Sequence, residues 1–297
     1  MSSKFLSIAR QGRNHWLRYV ASILLIFVIA ILVVAPVLIG MILSSGTPLK
    51  TLETLEGQQF VTDLINNKPV LGFGFLGLTG AALTAGLYLA VTRIHERPLL
   101  TLISPDASIC WQRILKGFGL WLGLGVLSFA LRYAIAPASY SFSFQASEWL
   151  PFALIAVVVA PIMALIHTLF IYGYLLQGLS LMVRNSIILS IVLGLVLVGI
   201  PPDLSAPGLM FFRMMYVIFL LWVVIWDNRS ELVVGITLAN QLMTLLLVSI
   251  PDSEAISASL FTTDSLPPIG WSYLAFGLRA GIFYTLLLHS KPRQLAQ

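Results

Sequence analysis

Eight runs of predominantly apolar residues divide this chain, and polar or charged residues separate them. A helix needs about 20 apolar residues to cross the hydrocarbon core of a bilayer, and most of these runs reach that length. Because an unpaired backbone N–H or C=O group is costly in lipid, helices are the structure that such runs adopt. The runs predict eight membrane-spanning helices, at residues 19–43, 70–91, 114–134, 149–182, 186–200, 209–226, 232–250 and 269–289.

The composition agrees with a membrane protein, since 58% of the residues are hydrophobic and only 10% are charged. A soluble globular domain typically carries about 25% charged residues. The fourth run is unusually long and contains Pro161, which predicts either one kinked span or a short helix that leads into the span. The fifth run is short, as for a tilted or incomplete span. We expect a single integral membrane domain over residues 1–297, an all-α polytopic bundle with no second domain.

The basic residues fall mainly in alternate connections between the spans. Cytoplasmic connections of membrane proteins carry an excess of Lys and Arg, so this asymmetry places both termini in the cytoplasm. Twelve basic residues fall on that side: Lys4, Arg10, Arg13, Arg18, Arg93, Arg97, Arg113, Lys116, Arg184, Arg229, Lys291 and Arg293. Lys50 and Lys68 fall on the other side, and Arg132, Arg213 and Arg279 lie in spans or at their ends.

Glycines cluster on the second and third spans. They are Gly72, Gly74, Gly77, Gly80 and Gly86 on the second, and Gly117, Gly119, Gly123 and Gly125 on the third. Small residues let membrane helices approach closely, so the clusters indicate helix packing. A phosphate-binding loop would instead join a strand to a helix, and neither run does so.

The interior of the predicted spans is poor in catalytic groups. All twelve Asp and Glu residues fall in connections or at span ends, so no carboxylate is a candidate to activate water at depth. A metal site normally needs three or more His, Cys or carboxylate ligands. The chain has one cysteine, Cys110, and four histidines, of which only His167 lies deep in a span. We therefore expect no metal, no cofactor and no nucleic-acid partner.

The centre of the fourth run carries a family motif. Residues 173–179 read Gly-Tyr-Leu-Leu-Gln-Gly-Leu and follow Ala160-Pro161, while residues 235–243 read Gly-Ile-Thr-Leu-Ala-Asn-Gln-Leu-Met. These segments resemble the CAAX-protease and bacteriocin-processing (CPBP, or Abi) family of intramembrane endopeptidases. That family reads roughly A-P-x-x-E-E-x-x-F-R-G-Y-L-L-Q-G-L and G-L-H-A-A-N-N-L-F. The resemblance implies a CAAX-protease-like fold, with its core at about residues 149–250.

The same resemblance locates the family's catalytic positions and finds other residues there. Counted back from Gly173, its paired glutamates fall on His167 and Thr168, and its arginine falls on Tyr172. The histidine of the later motif falls on Thr237 and its downstream asparagine on Gln241. In the family, a Glu is thought to activate water, while the histidines and the asparagine stabilise the oxyanion or bind a metal. None of these roles is filled by the residue type that the family uses.

Two hypotheses on His167 follow. Its imidazole either serves as a general base, aided by Thr168, Thr237 and Gln241, or is a polar residue hydrogen-bonded between helices, which contributes about 1 kcal/mol. We expect the second. The chain is then a catalytically inactive homologue, a binding or scaffold subunit that holds a transmembrane protein, peptide or lipid in the former substrate cavity. The alternative is an active intramembrane endopeptidase that uses non-standard residues. The expected location is a prokaryotic plasma membrane, with an internal membrane such as the thylakoid as the other possibility.

Overall fold

The computed structural model of the chain is mainly helical and describes residues 4–44, 69–183, 185–198, 207–249, 258–263 and 267–288. Six of its helices are long and apolar enough to cross a membrane, and two shorter apolar helices accompany them. In chain order they are α1 (Trp16–Ser44), α2 (Pro69–Ile94), α3 (Trp111–Ile135), α4 (Ala146–Ser180), the shorter α5 (Ser186–Val198), α6 (Pro207–Asp227), the shorter α7 (Glu231–Leu247) and α8 (Ile269–Leu288). The expectation of a helical integral membrane protein is therefore confirmed.

The eight helices lie at the eight predicted positions, and the ends predicted at Ile200, Ile250 and His289 lie outside the described residues. A short helix, Lys4–Ser7, and a 3-10 turn, Ile8–Arg10, precede α1. Further 3-10 turns form at Leu99–Leu102 and Pro137–Ser139. The long helices expose large apolar side chains on their outer faces, such as Leu32 on α1 and Leu154 on α4. These faces contact lipid in a membrane.

Helix α4 is a single continuous helix of 35 residues that runs through Pro161. The sequence left open one kinked span or a short helix that leads into the span, and the structure has one long helix. Its middle is wider than an α-helix, because Thr168–Leu175 is π-helical. Shorter π-helical segments end three other helices, at Ala90–Ile94, Met243–Leu247 and Tyr284–Leu288. Such segments are rare and are often found at functional sites.

The short helix α7 lies in the interior of the bundle, and its residues from Glu231 to Thr237 are all buried. It packs against α3 with the two backbones almost in contact: a Cβ atom on Gly117 would lie 2.6 Å from the carbonyl oxygen of Leu232. On α2, Gly77 and Gly80 make room for Val159 and Met163 of α4. The prediction of close packing is confirmed at these glycines. It is wrong at Gly119 and Gly123, which face open space.

One end of the bundle, which we call the basic end, carries the beginnings of α1, α3, α5 and α7 and the last turns of α2, α4 and α6. Ion pairs fasten it: Arg13 Nε lies 3.0 Å from Glu96 Oε1, Arg113 pairs with Asp227, and Arg229 Nη1 lies 3.2 Å from Glu231 Oε1. Nine of the twelve basic residues assigned to the cytoplasmic side belong to this end. Arg184, Lys291 and Arg293 lie outside the described residues, as do Lys50 and Lys68.

The opposite end carries a small three-stranded sheet that the all-α prediction did not include. Its strands are β1 (Ser141–Phe142), β2 (Val248–Ser249) and β3 (Phe261–Thr262), in the order β1-β3-β2. Strand β3 pairs with β1 in antiparallel and with β2 in parallel. Strands of two residues are too short to leave an alternating pattern in a sequence, which is why the prediction missed them.

Candidate functional site

The residues at the family's first catalytic positions lie in the middle of α4, where the α-helix passes into the π-helical segment. His167 is the last residue before this segment, and Thr168 and Tyr172 belong to it. The rings of His167 and Tyr172 meet edge to face, with their centroids 5.7 Å apart. Within the part of the chain that the structure describes, the imidazole of His167 makes this ring contact and no hydrogen bond. The hydrogen bond between helices expected for His167 is therefore not seen.

Thr168 and Tyr172 point into the bundle. Thr168 is fully buried, and its Oγ1 has no hydrogen-bond partner among the described residues. Tyr172 is 1% exposed and packs in one apolar core with Trp121, Leu220 and Ile236. A buried hydroxyl that makes no hydrogen bond typically destabilises the fold by about 1–3 kcal/mol. Thr168 thus carries a hydrogen-bonding capacity that the folded chain itself does not use.

The residues at the later catalytic positions, Thr237 and Gln241, lie one turn apart on the same face of α7. Each has a buried side-chain oxygen, Oγ1 of Thr237 and Oε1 of Gln241, that no described residue hydrogen-bonds. The apolar neighbours Ile236 and Ala239 pack in the same core as Tyr172, which brings α7 against the π-helical segment. Among the described residues, however, no hydrogen bond joins Thr237 or Gln241 to His167, Thr168 or Tyr172.

Arg279, Trp121 and Tyr216 complete this interior polar set and were not predicted as a group. The guanidinium of Arg279 lies over the ring of Trp121, 4.3 Å from its centroid, and Nη2 donates to the Trp121 carbonyl oxygen at 3.3 Å. The ring of Tyr216 lies 6.4 Å from that of Trp121, measured between centroids. The cation–π contact places the charge of Arg279 against an aromatic ring inside the bundle.

The signal for Arg279 was present in the sequence. It lies in the middle of an apolar run, and a charged residue at such a depth is by default a candidate functional residue. Only the fold brings it onto Trp121, since the two residues are 158 positions apart. We use the name "interior polar set" for Thr168, Tyr172, Thr237, Gln241, Trp121, Tyr216 and Arg279, together with His167, which borders them and is itself exposed.

The interior polar set offers hydrogen bonds and one positive charge but no carboxylate. Every described Asp and Glu lies at a helix end or in a connection: Glu96, Asp106, Glu148, Asp227 and Glu231. The remaining seven, Glu53, Glu56, Asp63, Asp203, Asp252, Glu254 and Asp264, lie outside the described residues. In the described part of the chain, no group of three His, Cys, Asp or Glu side chains is placed to hold a metal ion. The set is suited to binding a polar group at depth in the membrane.

Comparison with known protein families finds no match to the chain. Among curated proteins, the chain is similar to the uncharacterized protein YyaK of Bacillus subtilis (strain 168), with 33% identity over 110 residues. The similar region is 37% of this chain and 37% of that protein, so the chain matches a little over a third of the relative's length. No solved structure matches the chain.

Proposed function

We propose that the chain is a catalytically inactive member of the CPBP endopeptidase family, a binding or scaffold subunit that holds a membrane partner in the former substrate cavity. The observation that carries this proposal is the interior polar set, which keeps unused hydrogen-bonding groups where the family has its catalytic residues. Proteolysis needs a base and an oriented proton path. Binding needs only complementary polar groups, and those are what the set contains.

The unused groups define the chemistry of the partner. Oγ1 of Thr168, Oγ1 of Thr237 and Oε1 of Gln241 can accept hydrogen bonds, and Nε1 of Trp121 can donate one. A ligand that supplies both N–H and C=O groups satisfies such a mixture. The backbone of a peptide, or of a transmembrane segment locally free of helical hydrogen bonds, has this composition. The proposed partner is therefore a membrane-embedded polypeptide segment.

The proposal includes a topology. All eight helices span the membrane, with α5 and α7 as short or tilted spans, and the basic end faces the cytoplasm of a prokaryotic cell. The support for this is the one-sided distribution of Lys and Arg, together with the alternation of helix directions through the bundle. Helix α7 has 17 residues, close to the shortest length that crosses a bilayer.

Photo-crosslinking in intact membranes tests the binding role. A photoreactive residue at Gln241 is expected to form a discrete adduct with a second polypeptide, and one at Leu154, 74% exposed on the outer face of α4, is not. Adding Thr168→Val and Thr237→Val should weaken the Gln241 adduct, whereas Thr84→Val is the matched control because the Thr84 hydroxyl already donates to the carbonyl oxygen of Gly80. An adduct of equal yield at both crosslinking positions contradicts the proposal.

The alternative is an active intramembrane endopeptidase. One observation favours it: His167 is exposed and touches the Tyr172 ring, so a reactive imidazole would be accessible. The purified protein should then cleave membrane-anchored peptides, and His167→Ala should abolish the cleavage. Under the proposed binding role neither the wild type nor His167→Ala cleaves, and His167→Ala keeps the crosslinked partner.

A further inference from the structure

Arg97, three residues after the end of α2, is a buried cation with unused hydrogen-bond donors. Its residue is 5% exposed, and its Nη1 donates to Oε1 of Gln177 at 2.9 Å. Gln177 is itself fully buried and donates to the carbonyl oxygen of Thr101. Nε and Nη2 of Arg97 are buried as well, and neither has a hydrogen-bond partner among the described residues. Two of the three guanidinium nitrogens therefore have no acceptor within the described part of the chain.

The charge of Arg97 is not balanced by a carboxylate of the described residues. Each described carboxylate at the basic end pairs with another arginine. The pairs are Glu96 with Arg13, Asp106 with Arg229, Asp227 with Arg113, and Glu231 with both Arg113 and Arg229. An arginine side chain remains charged in proteins at neutral pH. Because a buried charge without a counter-charge is costly, the position of Arg97 calls for an anion.

A sharp turn of the backbone comes directly before this side chain. Glu96 has a φ of 55°, in the left-handed region that residues other than glycine seldom adopt. The N–H of Arg97 donates to the carbonyl oxygen of Val91 at 3.2 Å, which ties it to the end of α2. Backbone outliers of this kind cluster at active sites and ligand-binding positions. The buried position of Arg97 is therefore held by the backbone as well as by the contact with Gln177.

Tyr19, in the first turn of α1, supplies another unused donor near Arg97. Its hydroxyl is buried and has no hydrogen-bond partner among the residues described. Its ring lies 4.5 Å from the ring of His95, two residues before Arg97. Burial lowers the pKa of Arg97, while the ionised hydroxyls of Tyr19 and Tyr174 raise it, which places both hydroxyls near the guanidinium. Arg97 and Tyr19 thus bring N–H and O–H donors to one buried region between α1, α2 and α4.

The side-chain acceptors around these donors are already used. Oε1 of Gln177 accepts from Arg97, and Nε2 of His95 lies 2.9 Å from the Tyr174 hydroxyl and 3.2 Å from Oγ of Ser22. Gln177, Tyr174 and Ser22 are fully buried, as is His95. Because buried side chains enclose the donors, a ligand here must be small. A water molecule would accept hydrogen bonds and leave the charge unbalanced, whereas an anion does both.

We propose that a small inorganic anion of the size of chloride binds between the guanidinium of Arg97 and the hydroxyl of Tyr19. Nε–H and Nη2–H of Arg97 and the O–H of Tyr19 donate to it, and hydrogen bonds between charged groups are the strong ones. A buried polar group that the protein leaves unpaired is explained by a bound ion or water molecule, and the charge of Arg97 selects the ion. The anion ties α1 to the turn after α2. The site is separate from the interior polar set and does not depend on the proposed partner.

Thermal unfolding of the purified full chain in detergent tests the site. Sodium gluconate is replaced stepwise by sodium chloride at a constant sodium concentration, so that the ionic strength does not change. Gluconate is too large for an enclosed site and should not stabilise the protein. The unfolding temperature should rise with chloride along a saturating curve, by about 3 °C at ten times the dissociation constant. The same unfolding temperature in the two salts overturns the proposal.

Two variants locate the effect. Arg97→Gln should abolish the dependence on chloride, and Arg93→Gln, which removes an exposed charge four residues earlier, is the matched control that should keep it. Tyr19→Phe keeps the ring and removes one donor, so it should raise the chloride concentration at half-saturation about tenfold. Its matched control is Tyr88→Phe, at an exposed tyrosine of α2.

Tyr19→Phe decides the test if the buried Arg97→Gln does not fold. A chloride response that survives in Arg97→Gln, or an unchanged half-saturation in Tyr19→Phe, overturns the proposal. Bromide gives a direct readout, because it resembles chloride and scatters X-rays anomalously. A crystal of the full chain grown with bromide should show an anomalous peak between Arg97 and Tyr19. Peaks confined to the protein surface would identify adventitious ions only and would also overturn the proposal.

Discussion

Gly235 of α7 lies so close to α3 that a Cβ atom on it would be 2.5 Å from the backbone nitrogen of Phe118. The carbonyl oxygen of Ile114 is also in the way. These neighbours are backbone atoms in the middle of a helix, so neither can move aside as a flexible side chain would. The contact fixes the position of α7, and with it the positions of Thr237 and Gln241, two and six residues further along.

Gly235→Ala should therefore destabilise the protein, by about 1–3 kcal/mol as for overpacked cores. Gly119→Ala, on the open face of α3, should have little effect or stabilise slightly, because alanine favours a helix more than glycine does. Thermal unfolding in detergent, compared for the two variants, measures the difference. Equal stability of the two variants would show that α3 and α7 are not in backbone contact.

Glu231→Ala should be strongly destabilising. Its side chain is fully buried between Arg113 and Arg229, and removal of one partner from a buried ion network leaves uncompensated charge, with a loss of about 3–5 kcal/mol. Arg13→Ala should change stability by at most about 1 kcal/mol, since Arg13 and Glu96 are exposed by 59% and 49%. Denaturant titration of both variants checks the contrast. Comparable losses would mean that burial does not decide the strength of these pairs.

Thr237→Val should stabilise the isolated protein. The change keeps the shape of the side chain and removes a buried hydroxyl that has no hydrogen-bond partner among the described residues, which is worth about 1 kcal/mol. In the complex with the proposed partner the sign should reverse, because the lost hydroxyl then belongs to the binding site. Unfolding temperatures of the purified protein test the first statement. A lower unfolding temperature would show that the hydroxyl has a partner within the chain.

Acid should weaken the fold through His95, which lies just outside α2. Its Nδ1–H donates to the carbonyl oxygen of Arg13 at 2.8 Å, so Nε2 accepts from the Tyr174 hydroxyl at 2.9 Å. Burial, the largest cause, lowers the pKa of His95 below its ordinary value of about 6.5. The unfolded chain then binds a proton that the folded chain does not. This contribution to stability is full above about pH 6.5 and is lost as the pH falls towards the folded pKa.

Unfolding temperatures of the wild type and His95→Gln between pH 7.5 and pH 5 measure this effect. The wild type should lose more stability over this range than the variant, even though the variant starts from a lower value because it lacks the native hydrogen bonds. Parallel pH profiles would assign the acid sensitivity to other groups.

The proposed topology predicts which surfaces face the outside of the cell. In a Cys110→Ser background, a cysteine in place of Phe142, which is 68% exposed at the end that carries the sheet, should react with a membrane-impermeant maleimide in intact cells. One in place of Met182, 79% exposed at the basic end, should react only after the cells are opened. The reverse pattern would place the termini outside.

The positions of all eight helices could be predicted from the sequence, because apolar length is a strong local signal. The glycines of α2 also predicted close packing, which the structure shows against α4 at Gly77 and Gly80 and against α1 at Gly86, although the sequence did not indicate which helix would be the partner. That no residue packs against Gly119 or Gly123 could not be predicted. A glycine pattern indicates that close packing is possible, but it does not indicate which side of the helix has a neighbour. The sheet escaped prediction because β1 and β3 are distant in sequence and only two residues long.

The site was predictable in part. The family resemblance named His167, Thr168, Tyr172, Thr237 and Gln241, and the structure brings His167 and Tyr172 into contact. Arg279 of α8 contacts Trp121 of α3. The two residues are 158 positions apart, so no sequence pattern within either helix indicates this contact. No described residue hydrogen-bonds the hydroxyl of Thr168 or of Thr237. This depends on how whole helices pack, which residue types along the sequence do not show.

The sheet opposite the basic end can form only in a certain order while the chain is being made. Ser141 pairs with Thr262, and Val248 pairs with Phe261, so strand β3 must be present before β1 and β2 have a common partner. During synthesis, α3 and α7 leave the ribosome before β3 does, because both precede it in the sequence. The three strands can therefore pair only after the segment just before α8 has been made. A chain that stops before residue 261 therefore lacks the strand that joins the segment after α3 to the segment after α7.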